Sequence, residues 1–454
     1  MSRWIDEFDE LDKEKTLRAV LQVAEHLSAY EHRDGREISW DVIPGKETDP
    51  GAVLVSDVSL YGGAAGIALF FLRLYEVTKD AAYLDKAKGG IDFCYRKRRS
   101  QKELADQGEG TLKGIPGGLY NGPAGCAYVA YEIHEKTRDE AFLGYAKEIA
   151  DDVAGAAEYD SDGAFFSGVG GILSDGGLFL FLIWIYEKSH DKKYLDVAVS
   201  GMERILKNAD DAPSGSRWLN MDSVAFGLGE KGYFPGFFYG TAGTGFLLAK
   251  IFEITKDEKF LDGARKAADY IKSIADITPD SEAALIGYND PYRKDMHYLG
   301  LCQGPIGTSR LFYQLYRVTG EDEYLSWVLK LTNGVLRACA PKIHSKGYWH
   351  TYNYCCGTAG MLEHFIEIHN LTGDEKYLRA AEEAAVKLIG DSVSEDDKRC
   401  WYSAWNRHAP NEVENWAGPY VGSSGEASAL LTYYNYLSDN REISGYPEDP
   451  YHSA

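Results

Sequence analysis

The chain has 454 residues, of which 44% are hydrophobic and 26% charged, so it carries enough apolar side chain for a large core and is not of disordered composition. Its formal net charge of -22, relieved only by the short run Arg96-Lys97-Arg98-Arg99, argues against nucleic acid as a partner. Met1-Ser-Arg-Trp-Ile-Asp-Glu-Phe has no apolar leader core, and no window is long and apolar enough for a membrane span, so a cytoplasmic protein is expected. Seven cysteines in such a chain point to thiols or metal ligands rather than a disulfide framework.

In chain order, a first amphipathic helix is expected around Leu17 to Leu27, within an N-terminal extension of residues 1–54. A recurring block follows. Its first clear copy is Gly63-Ala-Ala-Gly66, an apolar run to Leu74-Tyr75-Glu76, then Thr78-Lys-Asp80 and Tyr83-Leu84. With the first glycine as anchor, an aromatic residue or His stands twelve positions on in six copies: Tyr75, His134, Phe252, Tyr316, His369 and Tyr434 follow Gly63, Gly122, Gly240, Gly304, Gly357 and Gly422. A second aromatic, twenty positions on, recurs as Tyr83, Phe142, Phe260, Tyr324 and Tyr377. A seventh, irregular copy is marked by Trp184-Ile-Tyr186-Glu187 and Tyr194-Leu195; its anchor is either Gly168, with an insertion, or Ser174 beside Gly176 and Gly177.

Each block reads as a helical hairpin: a glycine turn, an inner helix of small and apolar residues, a short connection, and an outer helix capped by residues such as Asp80, Asp191 and Asp257. One hairpin cannot bury its apolar face alone, so the copies must pack on one another. The fold class expected is all-α, an α/α toroid of seven hairpins over residues 55–440, in one domain (1–454) with a short C-terminal tail. The last copy shows no outer helix of its own after Tyr434, and the N-terminal helix could supply it.

In a closed ring the residues just before the anchors share one mouth. Two positions before the anchor stand Tyr61, Tyr120, Phe238 and Tyr420, with Phe166 joining them if Gly168 is an anchor. The two remaining, consecutive copies carry Cys302 and Cys355 there, and Cys356 follows Cys355. Three sulfurs meeting at a helix N-terminal rim suit Zn²⁺, which takes thiolates and, in catalytic sites, keeps a fourth position open. Cys94, Cys126, Cys339 and Cys400 do not share the slot and read as ordinary small hydrophobes.

The segments Leu301-Cys302-Gln303-Gly304 and Tyr354-Cys355-Cys356-Gly357, set among these hairpins, resemble the lanthionine synthetase C-like cyclase family over nearly the whole chain, about Tyr61 to Tyr436. The resemblance implies an α/α toroid with one zinc, here on Cys302, Cys355 and Cys356 as a Cys-Cys-Gly variant, and addition of a cysteine thiol to dehydroalanine or dehydrobutyrine in a precursor peptide. Such a substrate has dehydrated Ser or Thr and free Cys, and its alkene would come from a separate dehydratase.

Where the family has a general acid/base His, this chain has Tyr239, a phenol that can give a proton to an enolate but is a poor base at neutral pH. The family's Asp maps to Ala164 if Gly168 is the anchor, with Asp162 out of register, and Tyr298 takes the place of the family's Arg. His297, beside Tyr298, is a candidate for proton transfer. His344 and His350 read as loop or wall residues, and Trp349, Tyr352 and Tyr354 as lining of a peptide-sized pocket. Three other functions fit the same residues less fully: a zinc-containing peptide-binding scaffold without catalysis, addition of a small thiol such as glutathione to dehydroamino acids, and a carbohydrate-active barrel. The last lacks a carboxylate pair at the anchor turns.

Overall fold

A computed structural model describes residues 11–45, 58–100, 102–103, 106, 117–221, 232–292, 294–404, 407–438 and 443–451. Among them are fourteen α-helices and only short strands. The helices are α1 (Lys13–Ser28), α2 (Ala64–Thr78), α3 (Ala81–Lys97), α4 (Pro123–Thr137), α5 (Glu140–Gly155), α6 (Asp175–Ser189), α7 (Lys192–Lys207), α8 (Thr241–Thr255), α9 (Glu258–Ile274), α10 (Pro305–Thr319), α11 (Asp322–Arg337), α12 (Thr358–Thr372), α13 (Glu375–Asp391) and α14 (Ser423–Ser438). None is long and apolar enough to cross a membrane.

The even-numbered helices are the inner ones, and their boundaries follow from the glycine motif. The helix-starting residue Gly240 is extended and makes no side-chain cap bond, so the turn relies on main-chain bonds instead. Three residues into each regular turn, a second glycine packs against the main-chain carbonyl three residues before the anchor. A Cβ at Gly243 would overlap the carbonyl oxygen of Phe237, one at Gly307 that of Leu301, and one at Gly425 that of Pro419. Close approach of turn to helix is what requires glycine there. Inner helices are buried nearly all round: α8 buries eleven of its fifteen residues.

The outer helices are amphipathic, with α9 burying Phe260, Leu261, Ala264, Ala267, Ala268 and Ile271 at helical spacing. Inner and outer helices are joined by one left-handed residue and one cap. Lys79, Arg138, His190, Lys256, Gly320 and Gly373 all take positive φ after an inner helix. The expected capping residues Asp191 and Asp257 then accept the Lys193 and Lys259 amides, and Asp80 accepts that of Ala82.

Short antiparallel hairpins follow several outer helices: β1 (Glu158–Tyr159) with β2 (Ala164–Phe165), β3 (Asp210–Asp211) with β4 (Ser216–Arg217), and β5 (Asp276–Ile277) with β6 (Ala284–Leu285). The parallel pair β7 (His297–Tyr298) and β8 (Tyr348–Trp349) joins two loops.

The described residues form two compact units. The first holds α1–α3 and α12–α14, and in it α1 packs on α14, the outer position that the sequence left vacant in the last copy. Its inner helices are tied by Arg73 of α2, which bonds Glu363 of α12 at 2.9 Å and Thr432 of α14 at 2.6 Å. The second holds α4–α11 together with Gly445–Tyr451. That segment lies along α10 and α4: Tyr451 stacks on Tyr313 at 4.1 Å, Arg317 donates to the Pro450 carbonyl, and Tyr128 donates to that of Gly445.

Ser174, not Gly168, precedes α6, so Ser174 is the anchor of the irregular copy. Its slot two before the anchor therefore holds Ile172, and Phe166 is not a member. The position four before becomes Gly170, so neither Ala164 nor Asp162 fills it. Asp162 pairs instead with Lys207. The carboxylate that matters in this copy is Asp175, in the first turn of α6, which is buried and accepts the amides of Phe166, Ser167 and Gly168. It holds the extra loop as a capping carboxylate does.

Candidate metal centre and its aromatic surround

The slots before the anchors are strung together by main-chain hydrogen bonds. In the second unit the Phe238 amide donates to the Cys302 carbonyl (2.9 Å), and Leu173, one residue past the slot of the irregular copy, donates its amide to the Phe238 carbonyl (3.0 Å). In the first unit the Cys355 amide donates to Tyr420 (3.0 Å), and the Tyr420 amide to Tyr61 (3.0 Å). Neighbouring copies thus present their slot residues in succession, as equivalent turns should.

Cys355 and Cys356 belong to the first unit and Cys302 to the second. Cys302 and Cys355 are buried and Cys356 partly so. The Cys355 and Cys356 sulfurs are 3.6 Å apart. Asn353 Oδ1 accepts the Cys356 amide at 2.8 Å and fixes the turn that bears both thiols. Each of the three offers a sulfur of the kind a metal ion accepts. Cys94, Cys126, Cys339 and Cys400 are not among the potential metal ligands found in the described residues.

Tyr239 is buried beside Cys302. Burial first, and then the neighbouring Tyr288, Cys302 and Tyr298, push its phenol well above the usual range. It shares a hydrogen bond with Tyr288, whose ring stacks on Tyr298 at 4.3 Å. Phe234 meets Tyr239 and Tyr288 edge-on. Tyr288 escaped the sequence reading because it belongs to a loop outside the repeat register. Tyr298 was noted only as a replacement, although it joins Tyr239 and Tyr288.

His297 turns the other way. Successive strand residues face opposite sides; while Tyr298 faces Tyr288, His297 stacks on Tyr348 and meets Asp276 Oδ2 at 3.1 Å. His344 and His350 stack at 3.8 Å, and burial, ahead of the neighbouring His344, lowers the His350 imidazole to about 4. Trp349 packs near Tyr298, Tyr352 sits beside Asp391, and Tyr354 is buried with its ring edge-on to Tyr420.

A solved structure of nisin cyclase aligns with 84% of this chain and 89% of its own, at 16% identity and a TM-score of 0.59. A sugar epimerase from a ruminal bacterium aligns with 93% and 98%, at 15% identity and a TM-score of 0.50. At such identities the likeness concerns the fold, which is an α/α toroid. The profile of the lanthionine synthetase C-like proteins matches residues 55–443, and the chain belongs to that family. A search of curated proteins gives no match.

Proposed function

We propose that this protein catalyses addition of a cysteine thiol to a dehydroalanine or dehydrobutyrine residue of a precursor peptide, with zinc on Cys302, Cys355 and Cys356. The observation that carries the reading is the pair of adjacent sulfurs of Cys355 and Cys356, with Cys302 beside the buried phenol of Tyr239, in a chain of the lanthionine synthetase C-like family. Two sulfurs each about 2.3 Å from one tetrahedral ion stand about 3.8 Å apart. The 3.6 Å between the Cys355 and Cys356 sulfurs fits that spacing, and an all-thiolate donor set is one that zinc accepts.

Zinc so held supplies Lewis acidity that favours the thiolate form of an incoming thiol, while three anionic ligands limit how far that sulfur loses its nucleophilicity. The rest falls to the chain's own groups. In the reaction a bond forms from the substrate sulfur to the alkene β-carbon, the π pair moves onto the carbonyl as an enolate, and a proton is added at the α-carbon. The thiol's own proton passes to solvent, the α-carbon gains one from the donor and solvent restores the donor, so the product has the mass of the reactants.

Tyr239 is the proton donor in this reading. A phenol held above its usual range keeps its proton at neutral pH, which suits a donor and not a base. Tyr288 orients that hydroxyl. The buried aromatic side chains of Phe234 and Tyr298 keep water from the enolate.

Two measurements test the reading together. Elemental analysis is expected to give about one zinc per chain, lost on Cys302→Ala. Incubation with a dehydrated, cysteine-containing peptide is expected to consume free thiol with no change of mass. Thiol consumption no faster than in buffer, with zinc present, would leave a peptide-binding scaffold; adducts formed only with added glutathione would replace the peptide thiol by a small one.

A further inference from the structure

Tyr61 belongs to the first hairpin, two main-chain steps from Cys355 along the string of slots, with Tyr420 between them. Its ring lies parallel to that of Tyr420, with centroids 5.0 Å apart and planes within 7°. Both rings are buried, at 4% and 0% exposure. So braced, the Tyr61 hydroxyl donates to the Cys355 sulfur at 3.1 Å.

We propose that Tyr61 is a positioning residue for the metal centre, its hydroxyl donating a hydrogen bond that aims the Cys355 sulfur and draws charge from it. The inference rests on the metal reading of the cysteine cluster and adds a residue that the resemblance does not supply. Three thiolates around one divalent cation leave a net charge of minus one, which a donor at one sulfur spreads. Outer partners of this kind orient a ligand and set how strongly it gives electrons to the metal. The geometry is also costly to hold by chance: a buried phenol without an acceptor is penalised, and here the acceptor is the sulfur. The other slot tyrosine in this unit, Tyr420, serves through its ring and its main-chain bonds to Cys355 and Tyr61.

The test compares wild type with Tyr61→Phe, which keeps ring and stacking and removes only the hydroxyl. Zinc affinity is read by competition with a chromophoric chelator, and the cobalt-substituted protein by its sulfur-to-cobalt charge-transfer absorption. The expected result is an affinity about ten-fold lower, with the absorption moved to longer wavelength because the Cys355 sulfur gives its electrons more readily. Tyr61→Leu, which also loses the stacked ring, is expected to weaken binding further. Wild-type affinity and an unmoved band in folded Tyr61→Phe would overturn the role of the hydroxyl and leave the metal centre standing. A wild-type protein that binds neither ion would overturn both.

Discussion

Glu448 accepts a hydrogen bond from the Tyr120 hydroxyl at 3.0 Å, and its other oxygen faces the Arg310 guanidinium at 3.4 Å. Neither Glu448 nor Tyr120 is exposed at all, and Arg310 scarcely so. Arg310 also donates to the Glu448 carbonyl. The pair therefore fastens Gly445–Tyr451 to α10 beneath the slot residue Tyr120. Glu448→Ala would leave a buried guanidinium without its carboxylate, and a loss of roughly 3–5 kcal/mol is expected in urea unfolding. Glu448→Gln, which keeps the hydrogen bond to Tyr120, should lose less. Equal stability of Glu448→Ala and wild type would show that the segment contributes nothing.

Glu426, in the first turn of α14, is fully buried with both carboxyl oxygens lacking a hydrogen-bond partner. Burial pushes it up to about 8, and it in turn helps burial raise the Cys400 thiol to about 11. The folded chain thus keeps the Glu426 proton up to about pH 8, whereas the unfolded chain releases it near 4.5. Stability from this group is complete below 4.5 and falls as pH rises to about 8, by at most ~1.4 kcal/mol per pH unit. Glu426→Gln should remove that slope, and unfolding free energies measured from pH 5 to 8 check it.

Tyr239→Phe should slow thioether formation about a hundred-fold or more while leaving bound zinc unchanged. His297→Ala, whose imidazole faces Asp276 and not the Tyr239 cluster, should change the rate by less than about two-fold. Reversed effects would move the proton transfer to His297.

Metal removal should destabilise the fold. A ligand present at about a hundred times its Kd stabilises the folded state by about 2.7 kcal/mol, so dialysis against a chelator should lower Tm, and added zinc should restore it. Because the thiols must lose protons to bind, zinc affinity should rise with pH. Cys356→Ala should abolish the zinc-dependent part of Tm.

The hairpins were legible because the anchor-to-aromatic spacings are fixed by helix length: a fifteen-residue inner helix runs from Thr241 to Thr255 as from Pro305 to Thr319. The cysteine slot was legible for the same reason. The irregular copy was ambiguous because Gly168 and Gly171 mark the turns of an inserted loop, both at positive φ, and mimic an anchor. Counting back from Tyr186 and Tyr194 would have selected Ser174, twelve and twenty positions earlier. The two-residue strands carry too little pattern to read. The Tyr61–Cys355 bond, spanning 294 positions, depends on side-chain reach across the slots, which no spacing encodes.

The amide–carbonyl string through Leu173, Phe238 and Cys302, and through Cys355, Tyr420 and Tyr61, uses no side-chain atoms. It is indifferent to what each member displays, so a phenylalanine, a tyrosine or a cysteine can hang from it at no cost to the turn. Each string therefore works as an interchangeable display: histidine or cysteine exchanged for Tyr420 would change what stands next to Cys355 in the first unit while the main-chain framework stayed as it is, which makes this position a natural starting point for redesigning the chemistry.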